Sequence, residues 1–317
     1  MKIIWNKDFQ LHNATDHHEN AGRLPFMEGH SDTPLPDGEQ YLTLFHPQEY
    51  IEEVRRCSAN GEMLNPETYT CKESYKAACA AVSASVLASD TRGFAMVRPP
   101  GHHAFRDNGL GYCIFNNMAI ATEYQRKKGK RVLIVDIDGH YGEGIMEAYY
   151  DTDEVMYFSL HQFPAYPFAG KANEIGKDKG KGYTINAPMP PSSGDDLLLE
   201  SLDLVLPFLK KFNPDIVGVC AGFDGHKKDP ILALDFTEYG FHHFAKVLSE
   251  NFDDIFAILE GGYDPKSLES SVHAFIAGIN GQTVNDLPDP SKSTPEAIFN
   301  WVDDRETLQN LLSKIWK

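Results

Sequence analysis

The sequence predicts an α/β fold in one domain over residues 1–317, with a mostly parallel central sheet flanked by helices on both faces. Three observations carry that prediction. From residue 71 onwards, short β-branched runs alternate with longer helical stretches, the pattern of parallel strands joined by crossover helices. The strand-like runs are apolar throughout, as in strands covered on both faces. No repeat or low-complexity linker divides the chain.

Taken in order, residues 1–70 are rich in His, Asn, Pro and Gly and read as loops bordering a site. The Ala-rich stretch 71–89, containing Tyr75-Lys-Ala-Ala-Cys-Ala-Ala-Val82, predicts a closely packed helix, since Ala has the best intrinsic helix propensity. Residues 93–97 predict a strand that breaks at Arg98-Pro-Pro-Gly101. A helix over 116–128, a strand over 132–135, a helix over 144–150 and a strand over 155–160 follow. Beyond them come a strand at 182–187, a helix at 197–212, a strand at 216–220, a helix at 237–250, a strand at 256–259 and a helix at 265–279.

Composition narrows the class. With 42% hydrophobic and 24% charged residues, the profile is that of a soluble globular protein large enough for a substantial core. No apolar run of about 18 residues predicts a transmembrane helix, so no membrane partner is expected. The N-terminus lacks the apolar region of a signal peptide, which gives a cytoplasmic expectation. The five cysteines are scattered without a Cys-x-x-Cys, against a disulfide framework or a thiolate zinc site. A net charge of −17 argues against direct nucleic-acid binding. It suits cationic partners such as lysine-rich peptides or polyamines, or simply confers solubility.

The chemistry lies where the strands end. Arg131-Val-Leu-Ile-Val135 runs into Asp136-Ile-Asp-Gly-His140, and period-2 alternation puts Asp136, Asp138 and His140 on one side of an extended backbone. Two carboxylates and an imidazole converging there need a compensating charge, and a metal ion supplies it. The other endings are Arg98-Pro-Pro-Gly-His-His-Ala104, Ser159-Leu-His161, Ala221-Gly-Phe-Asp-Gly-His226 and Leu259-Glu-Gly-Gly-Tyr263. Alone, each has an ordinary explanation: a structural histidine pair, a turn aspartate, a packed tyrosine. A parallel sheet gathers all five along one edge, where sites in open α/β sheets lie.

The order and text of these motifs resemble the histone deacetylase and acetylpolyamine amidohydrolase superfamily, in its class II-like, bacterial-type members, which share the arginase-type α/β fold. The resemblance runs from His17-His-Glu-Asn-Ala-Gly-Arg-Leu24 to Tyr263 and includes Gly111-Tyr-Cys-Ile-Phe-Asn-Asn117. It implies a metal-dependent amidohydrolase that removes an acetyl or related acyl group from an acylated amine such as acetyl-lysine or acetylpolyamine. Asp138, His140 and Asp224 match the metal ligands, leaving a position open for water and substrate. Zinc is expected, and the oxygen-rich set also suits Fe(II) or Co(II).

By the same resemblance His103 is the general base, serving the attacking water and then the leaving amine, and His102 is its electrostatic partner. Asp136 orients His102, and the partner of His103 falls at Glu143, where the family commonly has Asp or Asn. Glu143 also suits the start of a helix for its dipole alone. Tyr263 matches the donor to the tetrahedral oxyanion. Tyr141 stands where a second histidine is usual and is expected to narrow or repaint a wall.

The expected substrate channel has Gly111 and Tyr112 as one wall, Phe168 as the other, and His161 and Ile231 near its rim or floor. Polyamine-selective relatives carry Glu at the position of Ile231, so that selectivity device is missing. Structural potassium is implied at Asp136 and Ser159 side chains with main-chain oxygens of Asp136, Asp138, His140 and Leu160. A second monovalent site would use main-chain oxygens near Tyr149, Thr152 and Val155. Segments 29–39 and 164–181 are expected to shape the entrance, and the lack of an insertion between Tyr69 and Arg98 suggests a monomer. Two alternatives remain. An arginase-like ureohydrolase would need a second metal, but Gly142 stands where a further aspartate is required. A silent acyl-lysine-binding module would not need the complete set of ligands, tandem histidines and Tyr263.

Overall fold

The apolar runs form one sheet of seven strands in which every neighbouring pair is parallel. In this computed structural model, which describes residues 1–317, the strands are β1 Ile3–Ile4, β2 Phe94–Ala95, β3 Val132–Asp136, β4 Val155–Gln162, β5 Thr184–Met189, β6 Ile216–Ala221 and β7 Ile255–Leu259. Their spatial order is β1-β2-β7-β6-β3-β4-β5. Every residue of β3 to β7 is buried, which is why these segments read as continuous apolar runs.

The helices are α1 Glu39–Leu42, α2 Gln48–Asn60, α3 Ser74–Thr91, α4 Asn117–Arg126, α5 Glu143–Tyr149, α6 Asp195–Phe212, α7 Glu238–Asn251, α8 Pro265–Ile279 and α9 Pro295–Ile315. Their starts follow capping chemistry. The Asn116 side chain accepts the Ala119 N–H at 2.9 Å, and Asp264 accepts that of Ser267 at 2.8 Å with Pro265 in the first helical position. Helices α3 and α4 pack on each other and on the β2–β7 and β3–β6 pairs. Helices α6, α7 and α8 pack in succession, and α9 joins α6 and β5. Together the two groups and the sheet enclose one contiguous core of 73 buried residues, so the chain is a single α/β domain.

Two elements correct the expected layout. Residues 1–70 are not all loop: α2 buries Tyr50, Ile51, Val54 and Cys57, an i, i+1, i+4, i+7 face. Helix α9 adds an element beyond the expected last helix: Thr294 caps it, Pro295 starts it and Ala297, Trp301, Leu308 and Leu312 line its buried face. All five cysteines are free, and no helix is long and apolar enough to cross a membrane.

Chain direction places the site. From β3 the chain proceeds outward through β4 and β5, then returns to the other side of β3 as β6 and β7. The crevice beyond the carboxyl ends of β3 and β6 is therefore the switch point at which ligands bind in such sheets.

Candidate metal centre and active site

Asp138 and His140 follow β3, and Asp224 follows β6, its neighbour in the sheet. One ligand atom from each lies within 4.8 Å of the others, and all three residues form a buried group. His140 Nδ1 is 2.7 Å from Asp224 Oδ2 and 3.4 Å from Asp138 Oδ1. Backbone N–H groups fix the carboxylates. His140 and Gly261 donate to Asp138 at 2.9 and 2.7 Å, and Gly139 donates to Asp224 at 2.6 Å. A side chain at Gly222 would overlap the Asp138 carboxylate, so the β6 exit requires glycine there.

The electrostatics fit a divalent ion. Burial pushes the Asp224 carboxyl up, and the neighbouring Asp138 adds to the effect. Burial would lower the His140 imidazole, but Asp224 and Asp138 outweigh it and raise it to about 10. The carboxylate pair thus demands a positive charge, and a proton on Nδ1 and a cation are alternative ways to meet that demand. The mixed nitrogen and oxygen donor set is one that zinc, Fe(II) and Co(II) accept.

The tandem histidines lie alongside. His102 Nδ1 is 3.2 Å from Asp136 Oδ2, which also accepts the Tyr157 hydroxyl at 2.9 Å. Burial opposes charge on His102, yet Asp138 and Asp136 hold it well above the ordinary imidazole range. His103 Nδ1 is 2.6 Å from Glu143 Oε2, so the longer acid at this position reaches its imidazole from the start of α5. Glu143 Oε1 is buried without a hydrogen-bond partner. Gly111 faces the same imidazole with a φ of 52°, and a Cβ there would meet the His103 ring.

A cavity of about 260 Å³ opens over this group, lined by Glu67, His103, Gly111, Tyr112, His140, Tyr166, Ile231 and Tyr263. Gly111, Tyr112 and Ile231 stand where the channel was expected. Phe168 does not. It is 71% exposed with a φ of 63°, and Tyr166 supplies the wall instead, 5.4 Å from the His103 ring. His161 is also outside the cavity, buried between Ser159 Oγ at 2.9 Å and the Gly170 carbonyl at 3.0 Å. Tyr141 repaints no wall, because its ring is buried against those of His161 and Tyr157. Glu67, unnoticed in the sequence, accepts the Tyr166 hydroxyl at 2.9 Å at the cavity edge.

The residues of the expected potassium site are adjacent. Asp136 and Ser159 are register partners across β3 and β4, and Leu160, Asp138 and His140 follow on the same strand ends. Asp136 Oδ1 accepts the Asp138 N–H at 3.2 Å. A second group, His102, Cys113 and Glu260, also brings its ligand atoms within 4.8 Å of one another. It shares no residue with the first, so the two do not form the ligand-bridged metal pair of a two-metal hydrolase. Glu260 Oε2 instead accepts the Gly101 and His102 N–H groups at 2.7 and 3.1 Å.

Behind the cavity a buried charge network joins two of its loops. Arg23 donates to the carbonyls of Gly262 and Glu260 at 2.8 and 2.6 Å, and its guanidinium lies 4.7 Å from the Tyr263 ring centroid. Glu19 pairs with Arg23 and, at 2.6 Å, with Arg98 just before the tandem histidines. Burial would raise the Glu19 carboxyl, but the two guanidinium groups outweigh it and hold it below its ordinary range. Glu19→Ala strands two buried cations, so it is expected to cost about 3–5 kcal/mol of stability at pH 7, measured by urea unfolding. Because the folded-state value is depressed, this contribution is complete above the unfolded value of about 4.3. It is lost as pH falls through the folded value, so the wild-type and variant midpoints should converge in acid.

A buried metal-type triad at the switch point of an all-parallel sheet, flanked by two carboxylate-paired histidines and a tyrosine, has the make-up of a hydrolytic metal site in an α/β fold. The histone deacetylase domain profile matches residues 9–279, and the chain belongs to that family. It is 32% identical to a "Probable deacetylase" of Archaeoglobus fulgidus over 352 residues, covering 99% of this chain and 98% of that protein. It is 35% identical to an acetylpolyamine amidohydrolase of Burkholderia pseudomallei over 215 residues, 66% of this chain and 63% of that one. The crystal structure of the HDA15 HD domain superposes with a TM-score of 0.88 at 29% identity, covering 100% of this chain and 97% of that one.

Proposed function

We propose that this chain is a metal-dependent deacetylase that hydrolyses the amide of an acylated primary amine, with zinc as its metal and Fe(II) or Co(II) as workable substitutes. One observation carries the reading. Asp138, His140 and Asp224 converge beside the His103–Glu143 pair and Tyr263 around a single cavity. Family membership supports the same chemistry.

The ion, when bound, would polarise the acyl carbonyl and ease deprotonation of the attacking water. The chain supplies the rest. Tyr112 and Tyr166 present aromatic walls to the methylene stem of the substrate. His103, its Nδ1 directed to Glu143, has Nε2 free to take the proton from water and return it to the leaving nitrogen. Glu143, with one oxygen buried and unpaired, concentrates its charge on that imidazole as it becomes cationic. His102 and Asp136 form a second buried pair behind it. Tyr263 donates to the oxyanion as it forms. Asp136, Ser159 and the carbonyls of Asp138, His140 and Leu160 would hold structural potassium beneath the centre.

The Glu67 carboxylate at the cavity edge and the net charge of −17 favour amine-bearing substrates: acetyl-lysine peptides, acetylpolyamines or small acylated metabolites. The test is to strip the protein with a chelator, reload it with zinc, Fe(II) or Co(II), and compete the three substrate classes. One metal per chain and recovery of turnover are expected. Two tightly held metals, or no hydrolysis of any acyl amide by the loaded protein, would count against the reading.

A further inference from the structure

Tyr263 projects from a short loop after β7 that contains Gly261 and Gly262, the latter at φ 119°, so nothing within the loop itself stiffens it. Asp138 and Arg23 hold Gly261 and Gly262, and the Tyr263 backbone itself is held by Asp229, a residue 8% exposed in the turn between Asp224 and the cavity-lining Ile231. Asp229 Oδ2 accepts the backbone N–H of Tyr263 at 2.6 Å, and Oδ1 accepts that of Ile231 at 3.0 Å. The Asp229 N–H in turn donates to the His226 carbonyl at 2.7 Å. One carboxylate therefore ties together two loops, from β6 and β7, and fixes two residues on the same cavity wall.

We propose that Asp229 is a positioning residue that sets the Tyr263 hydroxyl for oxyanion stabilisation, an inference that rests on the deacetylase reading above. Only a carboxylate can serve both N–H groups. Asparagine offers one oxygen and turns an NH2 group towards the other donor. Asp229→Asn also removes a buried negative charge close to Asp224, so the fold is expected to tolerate it. Its failure should be catalytic. Displacing a catalytic group by about 1 Å lowers turnover by about 10²-fold.

The experiment places Asp229→Asn in the wild-type and Tyr263→Phe backgrounds of the metal-loaded enzyme, with metal content and unfolding midpoint measured alongside. The expected result is a kcat lower by about 10- to 100-fold with KM little changed in the wild type. In the Tyr263→Phe background the same change should lower kcat by less than about 3-fold, because the hydroxyl it positions is gone. Asp229→Glu, which keeps the charge and an acceptor, should recover part of the loss. Equal losses in both backgrounds, or full activity of Asp229→Asn, would overturn the assignment, as would Ile231→Ala reproducing the whole effect. Should Tyr263→Phe itself keep full turnover, the oxyanion role of Tyr263 fails, and with it the reading beneath this one. A loss in Tyr263→Phe but none in Asp229→Asn sinks only the positioning role.

Discussion

Asp224→Asn is expected to lose its metal and at least about 10³-fold of turnover, since Lewis-acid assistance contributes about 4 kcal/mol or more to the barrier. The substitution keeps the shape of the side chain. It removes the charge that faces His140 Nδ1 at 2.7 Å, and it turns either an NH2 to that atom or an NH2 to the Gly139 N–H. Stability should fall as well. In the chelator-treated protein Asp224 is the main partner of the His140 imidazole, so replacing it is expected to lower the unfolding midpoint even before the metal is added back. Adding zinc should raise the wild-type midpoint by mass action and leave that of Asp224→Asn where it was. Metal analysis, single-turnover kinetics and thermal unfolding with and without zinc check the three parts together. A variant that binds one metal per chain normally would remove Asp224 from the ligand set.

Tyr263→Phe should retain the metal and nearly normal KM while kcat falls by about 10²–10³, the loss typical of one oxyanion donor. The ring contributes packing, seen in its contact with Arg23 and its edge-on approach to Tyr112 at 6.1 Å, and phenylalanine preserves both. Only the hydroxyl is removed, and it matters most when charge develops on the acyl oxygen. Steady-state kinetics on an acetyl-lysine substrate, with metal content measured on the same sample, provides the check. Unchanged kcat would take the oxyanion role away from this residue.

Much of the sheet was legible because strands buried on both faces have no polar side to disguise them. The strand ends pointed to His102, His103, Asp136, Asp138, His140 and Asp224 as a group, whereas their pairing, the part of Glu143 and the choice of candidate metal ligands came from the family resemblance. What escaped the sequence depends on how loops turn. That Tyr166 and not Phe168 faces the cavity depends on the course of this turn, where Phe168 has a left-handed backbone that an aromatic residue does not announce. Glu67 and Asp229 reach the site from turns whose course no periodicity encodes. Glu19, Arg23 and Arg98 became a network only when residues 79 and 237 or more positions apart were brought together. Helices α2 and α9 are different. Their apolar spacing and, for α9, the Thr-Pro start are written in the sequence.

The strand order also governs when the centre comes into being during synthesis. Strands β6 and β7 lie between β2 and β3, so β1–β2 and β3–β4–β5 are two separate pieces until the last third of the chain emerges. Asp224 follows His140 by 84 residues, and Tyr263 comes later still. A nascent chain thus has two of the three candidate metal donors and no closed sheet to hold them, and these long-range pairings form slowly. An ion held by this triad would therefore report that β6 has been inserted beside β3.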